Sequence, residues 1–123
     1  MKYLILIYGN PESRAIWDSF SDEQKAEGFA YYGKIADDLA ASGELIVTEA
    51  LADASQTKRI TVREGRTVTT DGPFAEAKEV LAGFFLLECE SMERAIECAA
   101  RLPEAEFGLV EVRPVLDLGG MEM

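Results

Sequence analysis

Residues 70–79 concentrate the side chains of this chain that could do chemistry, and they read TDGPFAEAKE. Asp71 is the candidate catalytic residue, because a carboxylate at the mouth of a cleft can act as a general acid or base. Phe74, with Phe84 and Phe85 of the next apolar run, could give it the apolar surroundings that tune a carboxyl group for proton transfer.

Asp71 also has a structural alternative. Asp-Gly-Pro is strong turn chemistry, and the carboxylate could accept backbone N–H bonds around Gly72 in an Asx-type turn. The structural role is the commoner one for such a residue, and the two roles are compatible. Phe74 is likewise either a wall of the cleft or, more often for such a residue, a plug that anchors the loop.

Four further side chains are candidate ligand-binding groups. Lys78 and Glu79 could orient an acidic or hydroxylated ligand, although charges before a strand are more often simply solvated. Arg113, near the end of the last strand, could pair with Asp71 or Glu79 or hold a ligand carboxylate. Tyr8 ends the first strand with a hydroxyl group that could reach the same cleft.

Other chemistries lack the residues they need. The chain has no His, so Ser13, Ser19 and Thr48 have no partner for triad catalysis. Cys89 and Cys98 form no CxxC pair and are expected to be reduced and partly buried, which argues against a zinc site. Neither a phosphate-binding loop nor a dinucleotide fingerprint occurs, and we predict no cofactor and no metal.

Composition narrows the possible partners. The net charge is −11, and the 12 basic residues are scattered among 23 acidic ones. Direct nucleic-acid binding and docking on an anionic membrane are therefore disfavoured, since both need clustered positive charge. The apolar run at residues 2–8 is too short for a membrane span or a signal segment, so a cytoplasmic location is expected.

Periodicity predicts the order β-α-β-(β-hairpin)-β-α-β. A capping box at Ser21 begins the first helix, which ends at Ser42-Gly43. Ser91 caps the second helix, and Pro103 ends it. The predicted strands are 2–8, 44–50, 59–63, 66–70, 80–88 and 107–115, with a loop at 11–20 that packs on the body through Trp17 and Phe20.

This order predicts an α+β fold, a ferredoxin-like α/β sandwich with an extra β-hairpin, as one domain over residues 1–116 followed by a tail at 117–123. Two helices cover only one face of such a sheet. The strands at 2–8 and 80–88 are nevertheless apolar on both faces. A second copy packed sheet to sheet is the simplest cover, and a bound apolar ligand is the rival one.

The segment at 70–79 resembles the signature of the DGPF branch of the YCII-related family, DGPFAE-x-KE. The opening run at 2–8, the strand at 80–85 and the closing residues 110–114 resemble the family in the same order, over nearly the whole chain. The resemblance implies a dimeric α+β barrel-type fold. It implies no general reaction, and the His–Asp pair of some relatives cannot operate in a chain without His.

Three hypotheses for function remain open at this point. The first is a homodimer that binds a small, partly apolar molecule in a cleft rimmed by Asp71, Phe74 and Lys78. The second is a cofactor-free isomerase, lyase or decarboxylating enzyme that uses Asp71 as a proton shuttle. The third follows from the resemblance, since many family members are encoded beside extracytoplasmic-function sigma factors. It is an interaction module whose acidic surface attracts such a partner.

Overall fold

The computed structural model describes residues 1–74 and 78–119, and over these residues the chain is a mixed α+β structure. Its strands are β1 (Lys2–Gly9), β2 (Leu45–Ala50), β3 (Lys58–Arg63), β4 (Arg66–Asp71), β5 (Val80–Glu88) and β6 (Val110–Pro114). Its helices are α1 (Pro11–Ser19), α2 (Asp22–Ala41) and α3 (Met92–Ala99), with short 3₁₀ segments at Ala54–Gln56 and Pro103–Phe107.

Four strands form one antiparallel sheet in the order β2-β5-β1-β6, and β3 pairs only with β4. Without the β3–β4 hairpin, the spatial order is second, third, first and fourth strand. The helices α1 and α2 connect the first strand to the second, and α3 connects the third to the fourth. That is the ferredoxin-like arrangement, so the predicted fold class, including its extra hairpin, is confirmed.

One face of this sheet carries the core. Alternate residues of β1 and β5 point to it because successive side chains of a strand face opposite sides. They pack against α2, α3 and the segment after α3. The largest fully buried side chains are Ile5, Ile35, Leu39, Leu87 and Leu102. On α2, Ile35 and Leu39 are buried in this core, whereas Phe29 stays exposed.

The prediction of a loop at residues 11–20 is wrong, because most of this segment is the helix α1. Asn10 caps it by accepting from the Ser13 N–H at 2.8 Å, and the Ser13 hydroxyl accepts from the Asn10 N–H at 2.9 Å. Pro11 stands at the first helical position, which it favours. The predicted packing of the segment is confirmed for Trp17, whose ring lies edge-on to Phe29 of α2 at 5.3 Å.

The C-terminal half departs from prediction in its boundaries. Residues 107–115 were expected as a strand, yet β6 covers only Val110–Pro114. Pro103–Phe107 instead forms a 3₁₀ segment that ends at Gly108, whose φ of +69° suits glycine. The capping box at Ser21 and the cap at Ser91 occur as predicted.

The β3–β4 hairpin, called the arm below (residues 58–71), projects from the body. Its turn residues Glu64 and Gly65 both have positive φ, as expected for the tight turn that suits twisted strands. The apolar side chains of the arm are mostly in solvent, with Ile60 68% and Val62 66% exposed. Among the described residues β3 and β4 pair only with each other, and an isolated two-stranded hairpin is marginally stable.

The predicted C-terminal tail has no regular structure over 117–118, and its residues 120–123 lie outside the described residues. None of the helices in the described part of the chain has the length and apolar character that a membrane span requires.

Candidate functional site

The segment that precedes β5 closes the base of the arm. Gly72 has a φ of +86°, and its N–H donates to the Thr57 carbonyl at 2.8 Å. The Asp71 carboxylate accepts from the Lys58 ammonium group, directly across the β3–β4 pair. The Asx-type turn around Gly72 does not occur among these contacts of the described residues and stays a prediction.

Asp71 lies in solvent, since 82% of its side chain is exposed and its ion pair with Lys58 is also exposed. The sequence predicted an enclosure of Asp71 by aromatic side chains, and no such enclosure occurs among residues 1–74 and 78–119. At this position the carboxylate stabilises the arm by a surface ion pair, an interaction of small energy.

Phe74, in the same segment, makes a cation–π contact with Arg59 of β3. The Arg59 guanidinium lies 4.6 Å from the centre of the Phe74 ring, whose outer side is exposed. Arg59 Nε is shielded from water and has no hydrogen-bond partner among the described residues. The ring thus covers one side of the Arg59 guanidinium, while 68% of Phe74 stays exposed, and its role as a cleft wall or as a plug stays a prediction.

The remaining predicted ligand-binding residues belong to β1, to the residues before β5 and to β6. Lys78 and Glu79 are exposed just before β5. Tyr8 lies at the same end of the sheet, because Gly9 pairs with Val80. Hydrogen bonding to Glu111, followed by burial, raises the pKa of Tyr8. The structure thus brings Tyr8 near the start of β5 and close enough to Arg113 for the positive charge of Arg113 to act on the pKa of Tyr8.

Arg113 belongs to the sheet face that no described helix covers, called the open face below. Arg113 pairs with Leu4 and Glu111 with Leu6, so both charges stand along the β6 edge of this face. Its centre is apolar and consists of side chains that are next to one another across three strands: Leu4 and Leu6 of β1, Phe84 and Leu86 of β5, and Val47 of β2.

An open cavity of about 600 Å³ lies on the other side, at the end of the sheet where α1 and α2 meet it. We call it the end cavity. Its walls are mostly apolar, and the aromatic ones are Trp17, Phe29, Tyr32 and Phe85. Gly33 borders it, and a Cβ added there would meet nothing within 4 Å. Of the described residues 70–74 and 78–79, none lines it, but Val80 does.

A buried polar pair lies in the wall of the end cavity. The Tyr32 hydroxyl donates to Glu104 Oε2, and Glu104 Oε1 is shielded from water without a partner among the described residues. Burial, and then the hydrogen bond to Glu104, raises the pKa of Tyr32 well above its ordinary value, so its hydroxyl stays protonated. At the rim, Arg14 Nη2 lies 2.7 Å from Asp53 Oδ1.

Sequence reasoning missed this site for two reasons. No local pattern marks Tyr32 as a site residue, and Glu104 is one of 23 acidic residues. Because residues 11–20 were predicted to be a loop, the helix α1, which places Trp17 and Arg14 in the cavity wall, was not expected. The signal that could have revealed α1 is the capping box Asn10-Pro11-Glu12-Ser13.

Comparison with known proteins gives two matches. The family model described as the YCII-related domain matches residues 1–119. An uncharacterized protein of Rhizobium meliloti (strain 1021) is 30% identical over 117 residues, which cover 94% of this chain and 92% of that relative. The match spans nearly the whole of both chains.

Proposed function

This chain belongs to the YCII-related family, and from that premise we propose that it is a homodimer that binds a compact, partly apolar small molecule in the end cavity. The observation that carries the proposal is the cavity itself. Its volume of about 600 Å³ falls within the range usual for small-molecule sites. Apolar walls with a few polar groups are also typical of such sites.

Small residues keep the end cavity open. Gly33 and Ala36 border it from α2, and Gly83 borders it from β5. A side chain at Gly33 would project into open space, whereas one at Gly83 would come within 2.9 Å of the Glu49 carbonyl. Glycine at position 83 thus allows the close approach of two strands, whereas glycine at position 33 preserves the volume of the end cavity.

The open face and the arm support the homodimer. An apolar centre made of Leu4, Leu6, Phe84, Leu86 and Val47 is a surface that single chains rarely leave in water. A second copy buries it by a two-fold, self-complementary contact. The exposed apolar side chains of the arm then pack on the partner, which gives the marginal hairpin the third layer that it lacks.

Trp17 allows a direct test of ligand binding, because it is the single tryptophan of the chain and lies in the cavity wall. N-phenyl-1-naphthylamine, a neutral apolar probe, should bind saturably at one molecule per chain and quench Trp17 by energy transfer. Gly33→Leu should abolish this binding by filling the cavity. Ala30→Leu is the matched control, because Ala30 is exposed on the same helix outside the cavity wall.

Two results would contradict the proposal. One is the absence of saturable quenching in the folded wild-type protein. The other is quenching that Gly33→Leu leaves unchanged, since the probe would then be bound elsewhere. The proton-shuttle role of Asp71 and the sigma-factor association stay predictions from the sequence, and the binding test depends on neither.

A further inference from the structure

We infer that the end cavity selects a small organic cation, a protonated amine on a compact aromatic or aliphatic body, and that Glu104 is the residue that receives its N–H groups. The inference rests on the proposed binding function and adds the chemical class of the ligand. It is carried by the geometry of Glu104 in the cavity wall, by the charges around it and by the aromatic walls.

One of the two oxygens of the Glu104 carboxylate has a hydrogen-bond partner among the described residues, and the other has none. Oε2 accepts the Tyr32 hydroxyl, while Oε1 is shielded from water and has no partner among the described residues. A buried carboxylate oxygen without a donor is unfavourable, and a charged donor satisfies it best. Tyr32 donates its one proton to Oε2 and so leaves Oε1 as the vacant acceptor.

Glu104 is placed so that a ligand can reach it. The residue lies in the 3₁₀ segment Pro103–Phe107 and contributes to the wall of the end cavity, as does Tyr32. The terminal torsion of a glutamate is soft, so a modest rotation turns Oε1 towards the cavity. The ligand donor replaces no existing contact of that atom.

The charges of the wall favour a cation. Arg14 is the basic side chain among the described wall residues, and its guanidinium is paired with Asp53 at 2.7 Å. The other charged residues of the wall, Glu49 and Glu104, then add negative charges that no basic side chain among the described residues balances. The net charge of the chain, −11, acts in the same sense at longer range. An anionic ligand meets repulsion from both sources.

The apolar body of the ligand has aromatic partners. Trp17 and Phe29 form one wall across their edge-on contact, and Phe85 lies on the sheet side. Aromatic faces attract ammonium groups as well as apolar ones, so this wall suits an arylalkyl amine.

The test uses three probes of nearly equal size. They are phenethylamine, 2-phenylethanol and 3-phenylpropionate, which at pH 7 are a cation, a neutral molecule and an anion. Each is titrated by calorimetry into the full chain and by displacement of N-phenyl-1-naphthylamine. We expect phenethylamine to bind at least tenfold more tightly than 2-phenylethanol, and 3-phenylpropionate to bind most weakly.

Variants assign the preference to one carboxylate. Glu104→Gln should reduce the amine preference to less than threefold while 2-phenylethanol binds as before. Glu106→Gln removes the same charge from an exposed position of the same 3₁₀ segment and should keep the preference. If both variants lose it equally, the attraction is only that of the net charge, and the inference is wrong.

Failure of the inference and failure of the proposed function look different. If the naphthylamine binds in the cavity but the three probes bind equally to wild-type protein, the cation preference is overturned and the binding function stands. If neither the naphthylamine nor any of the three binds, both are overturned. Neither outcome requires that a variant fold.

Discussion

At the scale of single residues, Asp71 and Gly72 contribute to the segment before β5 in different ways. Asp71 makes an exposed ion pair with Lys58, whereas Gly72 occupies a left-handed conformation and donates to Thr57. We predict that Asp71→Asn changes the free energy of unfolding by less than about 0.5 kcal/mol. Gly72→Ala should lower it by about 1 kcal/mol or more, because alanine strains at positive φ.

Urea unfolding of both variants at one fixed protein concentration measures this contrast, since the stability of a dimer depends on concentration. A large loss in Asp71→Asn with little change in Gly72→Ala would reverse the assignment and make the carboxylate the structural element of the motif.

Glu44 provides a pH dependence at the residue scale. Its two carboxylate oxygens accept from Arg94 Nη2 at 2.8 Å and Arg94 Nε at 3.0 Å. Hydrogen bonds from Arg94 and Ser42 lower the pKa of Glu44 from 4.5 to about 2. Because the folded pKa is depressed, this stabilisation is complete above the unfolded pKa of 4.5 and is lost as the pH falls from 4.5 towards 2.

The expected result is that Glu44→Gln lowers stability at pH 7 by about 1 kcal/mol, the upper end for pairs that solvent screens. The difference from wild type should shrink as the pH falls to 2. Glu97→Gln is the control, because Glu97 contacts the same arginine at 3.6 Å and is exposed. A difference between wild type and Glu44→Gln that does not depend on pH would contradict the assignment.

At the scale of elements, an added side chain is expected to have opposite effects on stability at two glycines, Gly33 and Gly83. Gly33 in α2 has nothing within 4 Å of an added Cβ, so Gly33→Ala should stabilise the helix by about 0.5–1 kcal/mol. Gly83 in β5 approaches the β2 backbone, and a Cβ there would lie 2.9 Å from the Glu49 carbonyl. Gly83→Ala should therefore destabilise the chain, by about 1–3 kcal/mol. Thermal or urea unfolding of the pair checks both signs, and equal effects would exclude this account.

The elements also show what a sequence can reveal. The strands and two of the three described helices follow from local patterns, such as the Ser21 capping box and the apolar run of β1, and these were predicted. The pairing of Tyr32 with Glu104 joins positions 72 residues apart, and neither residue has a local signal that points to the other. Such a contact follows from the path of the chain, which spacing along the sequence does not encode.

At the scale of the whole molecule, the sheet has two unequal faces. One is filled by α2 and α3, with the end cavity at its margin, and the other leaves Leu6 and its neighbours outside. None of the residues at the centre of the open face lines the cavity, so the proposed dimerisation through that centre leaves the cavity available to a ligand. Binding and assembly are therefore predicted to be separable by mutation.

Leu6→Lys tests the assembly without disturbing the sheet. Leu6 lies at the centre of the open face, between Phe84 on one side and Glu111 on the other. A lysine there pairs with Glu111 across the strands and keeps the single chain folded, whereas its charge is costly inside an apolar interface. Wild type should sediment at twice the chain mass of 13.5 kDa and Leu6→Lys at that mass, with naphthylamine binding retained.

Ala30→Lys should remain dimeric, because Ala30 is on the helix layer. A wild-type protein that is monomeric at 50 µM would exclude the dimer. A dimeric Leu6→Lys would mean that the two chains meet at another surface.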